Sequence, residues 1–171
     1  MLRKKPRSVI LMIAVVIWRM LQELSTLLSY RDTIDYSLFS HLGAGDVFFV
    51  AYVPLLLLDA LTLRFLYRPA PAGFWIALTG VALSTLYNFL VTFMGMGNVE
   101  VVRDALIRQY SARGITLGPE TVKSLGQANI ILQGIYWNKI LIVCYLVGMA
   151  LLLFSNAAYF YGDEEQSEGT H

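Results

Sequence analysis

The sequence predicts an all-α protein: an integral membrane four-helix bundle with a short extracytoplasmic helical hairpin between spans 3 and 4. Of its 171 residues, 57% are hydrophobic and 15% are charged, whereas soluble domains have about 45–50% apolar and about 25% charged residues. The apolar residues form four runs, each able to supply the roughly 20 residues that cross a hydrocarbon core of about 30 Å. Because the runs are apolar on all sides rather than alternating, they favour helices over strands.

The first span, about residues 8–30, follows the basic segment MLRKKPR. A basic segment before an apolar run imitates a secretory signal, but Arg19 interrupts the run and no small-x-small cleavage site follows. We therefore expect an uncleaved membrane helix. Arg19 lies about eleven residues into the span, or roughly 16 Å deep, close to the membrane midplane. Glu23 follows one turn later on the same face, where the two side chains can pair.

The second and third spans, about residues 46–67 and 73–96, each carry a polar side chain at comparable depth. Asp59 lies about thirteen residues into the second span, and Asn88 lies within the third. Since successive spans run in opposite directions, we expect both side chains in the central third of the bilayer. They would be level with the charged pair of the first span.

The connection at about residues 97–128 is predicted to form the outer helical hairpin. Asn98 suits a helix N-cap, and Gly114 suits a C-cap. Pro119 then suits the first turn of a second helix. Apolar side chains recur at helical spacing in the first arm: Val99, Val102, Leu106 and Tyr110. The hairpin would pack on the bundle mouth or lie in the membrane interface; the alternative is a platform for a ligand or partner.

The fourth span falls within about residues 129–161 and carries Asn138 and Lys139. If it runs from residue 137 to 159, aromatic side chains mark both interfaces and Lys139 extends its amine outward to the head groups. If the span begins at residue 129, Lys139 lies deeper. We favour the first interpretation, because the span then has ordinary length.

Residues 1–162 are predicted to form a single membrane domain, and residues 163–171 an acidic disordered tail. Lys and Arg are concentrated at the N-terminus and in the connection after the second span, which carries Arg64 and Arg68. This bias predicts that both termini are cytoplasmic, in the cell membrane if the organism is prokaryotic.

Several function classes are disfavoured by what the sequence lacks. The net charge of +1 gives no reason to expect a nucleic-acid partner. Cys144 is the one cysteine, and His41 and His171 both lie outside the apolar runs. No phosphate-binding loop, zinc-protease motif or nucleophile elbow occurs. We therefore expect no cofactor, no metal and no catalytic residues, and an enzyme is the least favoured class.

Polar side chains within the predicted spans cost free energy in lipid and therefore require an explanation. Six of them form one predicted cluster: Arg19, Glu23, Asp59, Asn88, Asn138 and Lys139. The formal charges within it sum to zero. It could be a neutral network that fixes helix rotation, a path in which the carboxylates carry protons, ions or a solute, or a contact with another subunit. The first expectation is a non-enzymatic accessory or scaffold subunit of a membrane complex; the alternative is a transporter or channel component. The expected partners are the lipid bilayer and other membrane subunits or a homo-oligomer.

Overall fold

The computed structural model describes residues 6–125 and 127–161, and within these ranges the chain is helical between short turns, with no strand. A single 3-10 turn at Tyr30–Asp32 accompanies eight α-helices in the described ranges. Their bounds are α1 Arg7–Leu28, α2 Ile34–His41, α3 Gly45–Tyr67, α4 Pro71–Gly97, α5 Val99–Ala112, α6 Pro119–Leu125, α7 Ala128–Ser155 and α8 Ala157–Tyr161. The all-α prediction is confirmed.

Four of these helices, α1, α3, α4 and α7, are long and apolar enough to cross a membrane. Even the shortest, α1, has 22 residues, which at 1.5 Å per residue extends about 33 Å. The most apolar windows have mean hydropathies from 1.6 to 2.0. These four helices point to a membrane-embedded protein, as the composition predicted.

The helix contacts place α4 between two neighbours, because it packs against both α3 and α7, while α1 packs mainly on α3. One buried cluster joins α1, α3, α4 and α7 through Met12, Leu66, Phe74 and Leu153. The turn between α3 and α4 is tight: a Cβ at Gly73 would lie 2.5 Å from the Cβ of Phe65. The absence of a side chain at residue 73 therefore lets the two helices approach closely.

The predicted fourth span, residues 129–161, is not one continuous helix. Helix α7 ends at Ser155, and α8 begins two residues later. Asn156 lies between them; its amide donates to the Leu152 carbonyl at 2.7 Å, and its Oδ1 accepts a 2.6 Å hydrogen bond from Ser8. An asparagine that bonds the preceding turn competes with the helical ladder. Here it also ties the end of α7 to the start of α1.

The connection between the first two spans contains helix α2, which the sequence analysis did not predict. Thr33 caps it by accepting from the Tyr36 amide at 3.3 Å. Leu38 of α2 is buried beside Val102 of α5 and Ile131 of α7. This short helix is thus held by packing against its neighbours rather than by length.

The segment predicted as a hairpin contains two helices, α5 and α6. Gly114 follows α5 with a φ of 71°, as a C-terminal glycine should, and Pro119 is the first residue of α6. Asn98 occupies the N-cap position of α5 as predicted, but its side chain makes no capping hydrogen bond there. Its amide instead donates backward to the Met94 carbonyl at 2.9 Å, at the end of α4. The hairpin arrangement of the pair stays a prediction. The acidic tail and residues 1–5 lie outside the described residues.

Candidate functional site

Three of the four long apolar helices, α1, α3 and α7, meet at the guanidinium of Arg19. Its Nη2 lies 3.0 Å from Oε1 of Glu23 on the same helix and 3.0 Å from Oδ2 of Asp59 on α3. Its Nη1 donates a hydrogen bond to the hydroxyl of Tyr145 on α7. The guanidinium carbon also lies 5.2 Å from the centre of the Tyr145 ring. A planar group with five N–H donors can serve all three partners at once.

The charged side chains of this cluster are largely removed from solvent. The exposed fractions are 14% for Arg19, 12% for Glu23 and 4% for Asp59. Glu23 reaches the guanidinium because residues four apart lie on one helix face. Asp59 reaches it because α1 packs on α3. Burial of this kind is tolerated only where the charges are paired and hydrogen-bonded.

The pairing is incomplete on the acidic side. Oε2 of Glu23 is buried without a hydrogen-bond partner among the described atoms. Oδ2 of Asp59 makes its 3.0 Å charge contact with Arg19 without hydrogen-bond geometry. Two carboxylates share one guanidinium, so the fully ionised cluster carries a formal charge of −1. An unsatisfied buried acceptor costs about 1–3 kcal/mol.

A cleft of about 310 Å³ adjoins the cluster on the side of Glu23. Its lining is rich in polar side chains although it lies between long apolar helices. The lining residues are Arg19, Gln22, Glu23, Tyr52, Ser84, Thr85, Asn88, Leu141, Ile142 and Tyr145. Thr85 and Asn88 donate to backbone carbonyls of α4 at 2.7 and 2.8 Å. The oxygen of each side chain therefore remains an acceptor.

The six residues predicted as one cluster do not form one site. Arg19, Glu23 and Asp59 are in contact, and Asn88 lines the adjoining cleft. Asn138 does not line that cleft; its amide donates to Oγ1 of Thr92 at 3.3 Å, and Thr92 donates to the Asn88 carbonyl.

Lys139 forms no ion pair with any residue in the described part of the chain. The three charged side chains that meet at the guanidinium, Arg19, Glu23 and Asp59, sum to −1; the neutral sum of the predicted cluster also counts Lys139. Its outward extension to the membrane interface, like the role of the buried charges, stays a prediction.

Sequence reasoning missed the tyrosines that complete these contacts. Tyr145 lies in the middle of an apolar run, where a phenol needs a partner; that position was a usable signal.

Tyr87 donates to Oδ2 of Asp35 on α2 at 3.0 Å. Burial raises the pKa of the Asp35 carboxyl, while the Tyr87 hydrogen bond opposes that shift.

Neither metal binding nor similarity to other proteins assigns a function. Across residues 6–125 and 127–161, no group of three or more His, Cys, Asp or Glu side chains could hold a metal ion. No protein-family model, curated protein or solved structure matches the chain. Function must be inferred from the geometry of the chain's own residues.

Proposed function

We propose that this chain is a multi-pass membrane protein that binds and releases a cation, in the simplest case a proton, at the Arg19–Glu23–Asp59 cluster. It would serve as a transporter or channel component, with its four apolar helices packed as a bundle. One observation carries the proposal. Two buried carboxylates share a single guanidinium beside a polar cleft of about 310 Å³.

The excess negative charge distinguishes this proposal from a purely structural network. A network that only fixes helix rotation is best served by equal numbers of opposite charges, since an unpaired buried charge is costly. Here one carboxylate is left over, and a bound proton or cation would neutralise it. Ionisable residues at this depth commonly mark ion paths and proton relays.

The two carboxylates would have different tasks. Glu23 lines the cleft, so it would exchange a proton or cation with the polar space. The Asp59 side chain is only 4% exposed and does not line that cleft. It would hold Arg19 in place when Glu23 is neutralised. Arg19 would remain cationic throughout, because guanidinium does not lose its proton in proteins.

The orientation that accompanies this proposal has both termini in the cytoplasm of a cell membrane. It is supported by the Lys and Arg residues at the N-terminus and in the connection between α3 and α4. Helices α2, α5 and α6 would then lie at the outer end of the bundle, with the hairpin between the third and fourth spans.

The test is proton and cation flux into liposomes that contain the purified protein, followed with dyes that report internal pH and membrane potential. Wild-type protein should conduct, and Glu23→Gln and Asp59→Asn should each lose most of the flux. Asp104→Asn is the matched control, because Asp104 is an exposed carboxylate paired with Arg103 on α5. Infrared spectra should also show a carboxyl band that grows on acidification and is lost in the two cluster variants. Wild-type flux equal to that of empty liposomes, with no such band, would contradict the proposal.

A second candidate function is an accessory subunit of a membrane complex. Only 17% of the residues in the apolar window of α7 are buried, against 39% in α4. The open surface of α7 can contact lipid or a helix of another subunit. Its test is the mass of the particle in lipid nanodiscs and the identity of co-purifying chains. A stable heteromeric complex without flux would favour this candidate over the first.

A further inference from the structure

A second cavity, of about 340 Å³, lies between α2, α4, α5 and α7, apart from the Arg19 cleft. Its wall is mainly aliphatic: Ile34, Leu38, Val91, Val102, Leu106, Ile130, Ile131 and Ile135 line it, together with Gly95 and Gly134. Three polar side chains complete the wall, from Asp35, Thr92 and Asn138. An apolar lining with a few convergent polar groups is typical of sites for small molecules of about 300 Å³ and more.

The polar groups of this cavity are partly engaged. Oδ2 of Asp35 accepts from the Tyr87 hydroxyl at 3.0 Å. The Asn138 amide donates to Thr92 at 3.3 Å, and the Thr92 hydroxyl donates to the Asn88 carbonyl at 2.6 Å. Among the described contacts, Oδ1 of Asn138 accepts no hydrogen bond. The lining therefore offers an amide oxygen and a carboxyl group, and none of its described side chains is cationic.

We propose that this cavity binds a small single-chain amphiphile: an aliphatic chain that ends in an uncharged hydroxyl. At about 30 Å³ per small group, which is the liquid volume of one water, the cavity holds roughly eleven non-hydrogen atoms. That is the size of decanol and far smaller than a two-chain phospholipid. The aliphatic wall would take the chain, and Asn138 or Asp35 would bind the hydroxyl.

The polar groups also select against charged head groups. A carboxylate head would lose its hydration in an apolar wall whose described side chains include no cation to pair with it. An ammonium head would need an ionised Asp35, and burial favours the neutral form of that carboxyl. A hydroxyl can donate to or accept from either oxygen-bearing side chain, so it suits the site in both states.

Two glycines of α7 provide a matched pair of variants. A Cβ at Gly134 or at Gly148 would have no neighbouring atom within 4 Å. Gly134 lines the cavity and Gly148 does not. A leucine at either position should be tolerated by the helix, but only Gly134→Leu would occupy the proposed site.

The experiment uses the full chain in lipid nanodiscs and a decanol probe that carries a photoactivatable diazirine on its chain. Labelled residues are mapped by mass spectrometry. Wild type and Gly148→Leu should be labelled at cavity residues such as Leu106 and Ile131. In Gly134→Leu that labelling should fall to the level of lipid-facing background. If Gly134→Leu does not fold, Gly134→Val makes the same test. Equal cavity labelling in wild type and a folded variant at residue 134, or none in wild type, would overturn the proposal.

Competition with unlabelled compounds tests the head group. Decanol should displace the probe more effectively than decane, decanoate or decylammonium. Equal displacement by decane would show that no polar recognition occurs, and stronger displacement by decylammonium would show a cation site; either result overturns the assignment. Displacement by a phospholipid at equal chain concentration would identify the occupant as a bilayer lipid instead.

Discussion

Replacement of Arg19 by Met should have an effect much larger than that of a typical ion-pair residue. The change keeps a long flexible side chain but removes the cation that contacts Glu23 and Asp59, each at 3.0 Å, in the described part of the chain. It also removes the donor to the Tyr145 hydroxyl. Two carboxylates with exposed fractions of 12% and 4% are then left without a counter-charge.

The loss of folding free energy in Arg19→Met depends on whether the two acids stay ionised. Loss of one partner from a buried ion pair typically destabilises a protein by about 3–5 kcal/mol. The variant can instead protonate its acids. A carboxyl with a pKa of about 4 in water costs about 4 kcal/mol to protonate at neutral pH, since each unit is worth about 1.4 kcal/mol. Protonation of one acid therefore gives little relief at neutral pH, and we expect a loss of about 3–5 kcal/mol. The folded variant would bind more protons than the unfolded one, so the loss should shrink as the pH falls.

The assay is reversible unfolding in mixed micelles, titrated with dodecyl sulfate and followed by tryptophan fluorescence. The double variant Arg19→Met/Glu23→Gln should recover part of the loss, because it also removes an uncompensated acid. Arg103→Met is the control. Arg103 pairs with Glu100 and Asp104 on the exposed side of α5, where such pairs contribute about 0–1 kcal/mol.

Two results would refute the reasoning. If Arg19→Met destabilises the protein no more than Arg103→Met does, Arg19 is not buried against the two acids. If the stability lost by the double variant equals the sum of the losses in the two single variants, Arg19 and Glu23 do not interact in the folded protein.

Three further predictions concern packing, titration and topology. Gly73→Ala should destabilise the protein by about 1–3 kcal/mol, because the new Cβ would lie 2.5 Å from the Cβ of Phe65 on α3. Gly148→Ala, with open space around the new Cβ, should leave stability unchanged or raise it by up to about 1 kcal/mol. Both are measured by the same unfolding assay, and equal losses of stability would refute the close approach of the two helices. The pKa of the Asp35 carboxyl is raised in the folded chain, so the stability that Asp35 contributes is complete at acidic pH and is lost as the pH rises. The wild-type protein should therefore lose stability relative to Asp35→Asn as the pH rises. Parallel stability–pH profiles of the two proteins would contradict this. A reporter fused after His171 should face the cytoplasm and a tag within residues 111–117 should be labelled from outside; an external C-terminus would exclude the predicted orientation.

The sequence predicted the four apolar helices and the two helices between the third and fourth of them, but it did not predict helix α2. The length and hydropathy of a spanning helix are properties of one segment and its solvent, so α1, α3 and α4 begin and end close to the predicted bounds. Helix α2 has only eight residues, and isolated helices of that length are unstable. It forms because Leu38 is buried against α5 and α7, which no local pattern indicates.

In the candidate site, too, the sequence predicted the contact within one helix and not the contacts between helices. Depth along the first span and the four-residue spacing were sufficient to predict that Arg19 and Glu23 can pair. The contacts with Asp59 and Tyr145 were beyond local spacing, since they join residues 40 and 126 positions away in the chain. Lys139 was grouped with the cluster because of its approximate depth alone, and it forms no ion pair with either acid of the cluster.

The sequence by itself determined that this protein belongs in a membrane, and it identified which side chains are costly there. Both conclusions follow from the transfer of individual residues between water and lipid, which depends on composition and position along a helix. Only the tertiary structure decided which acids share Arg19, that Tyr145 completes the contact, and that α2, α4, α5 and α7 together line an aliphatic cavity. Those features depend on how each helix is rotated about its axis, and the packing of all its neighbours sets that rotation.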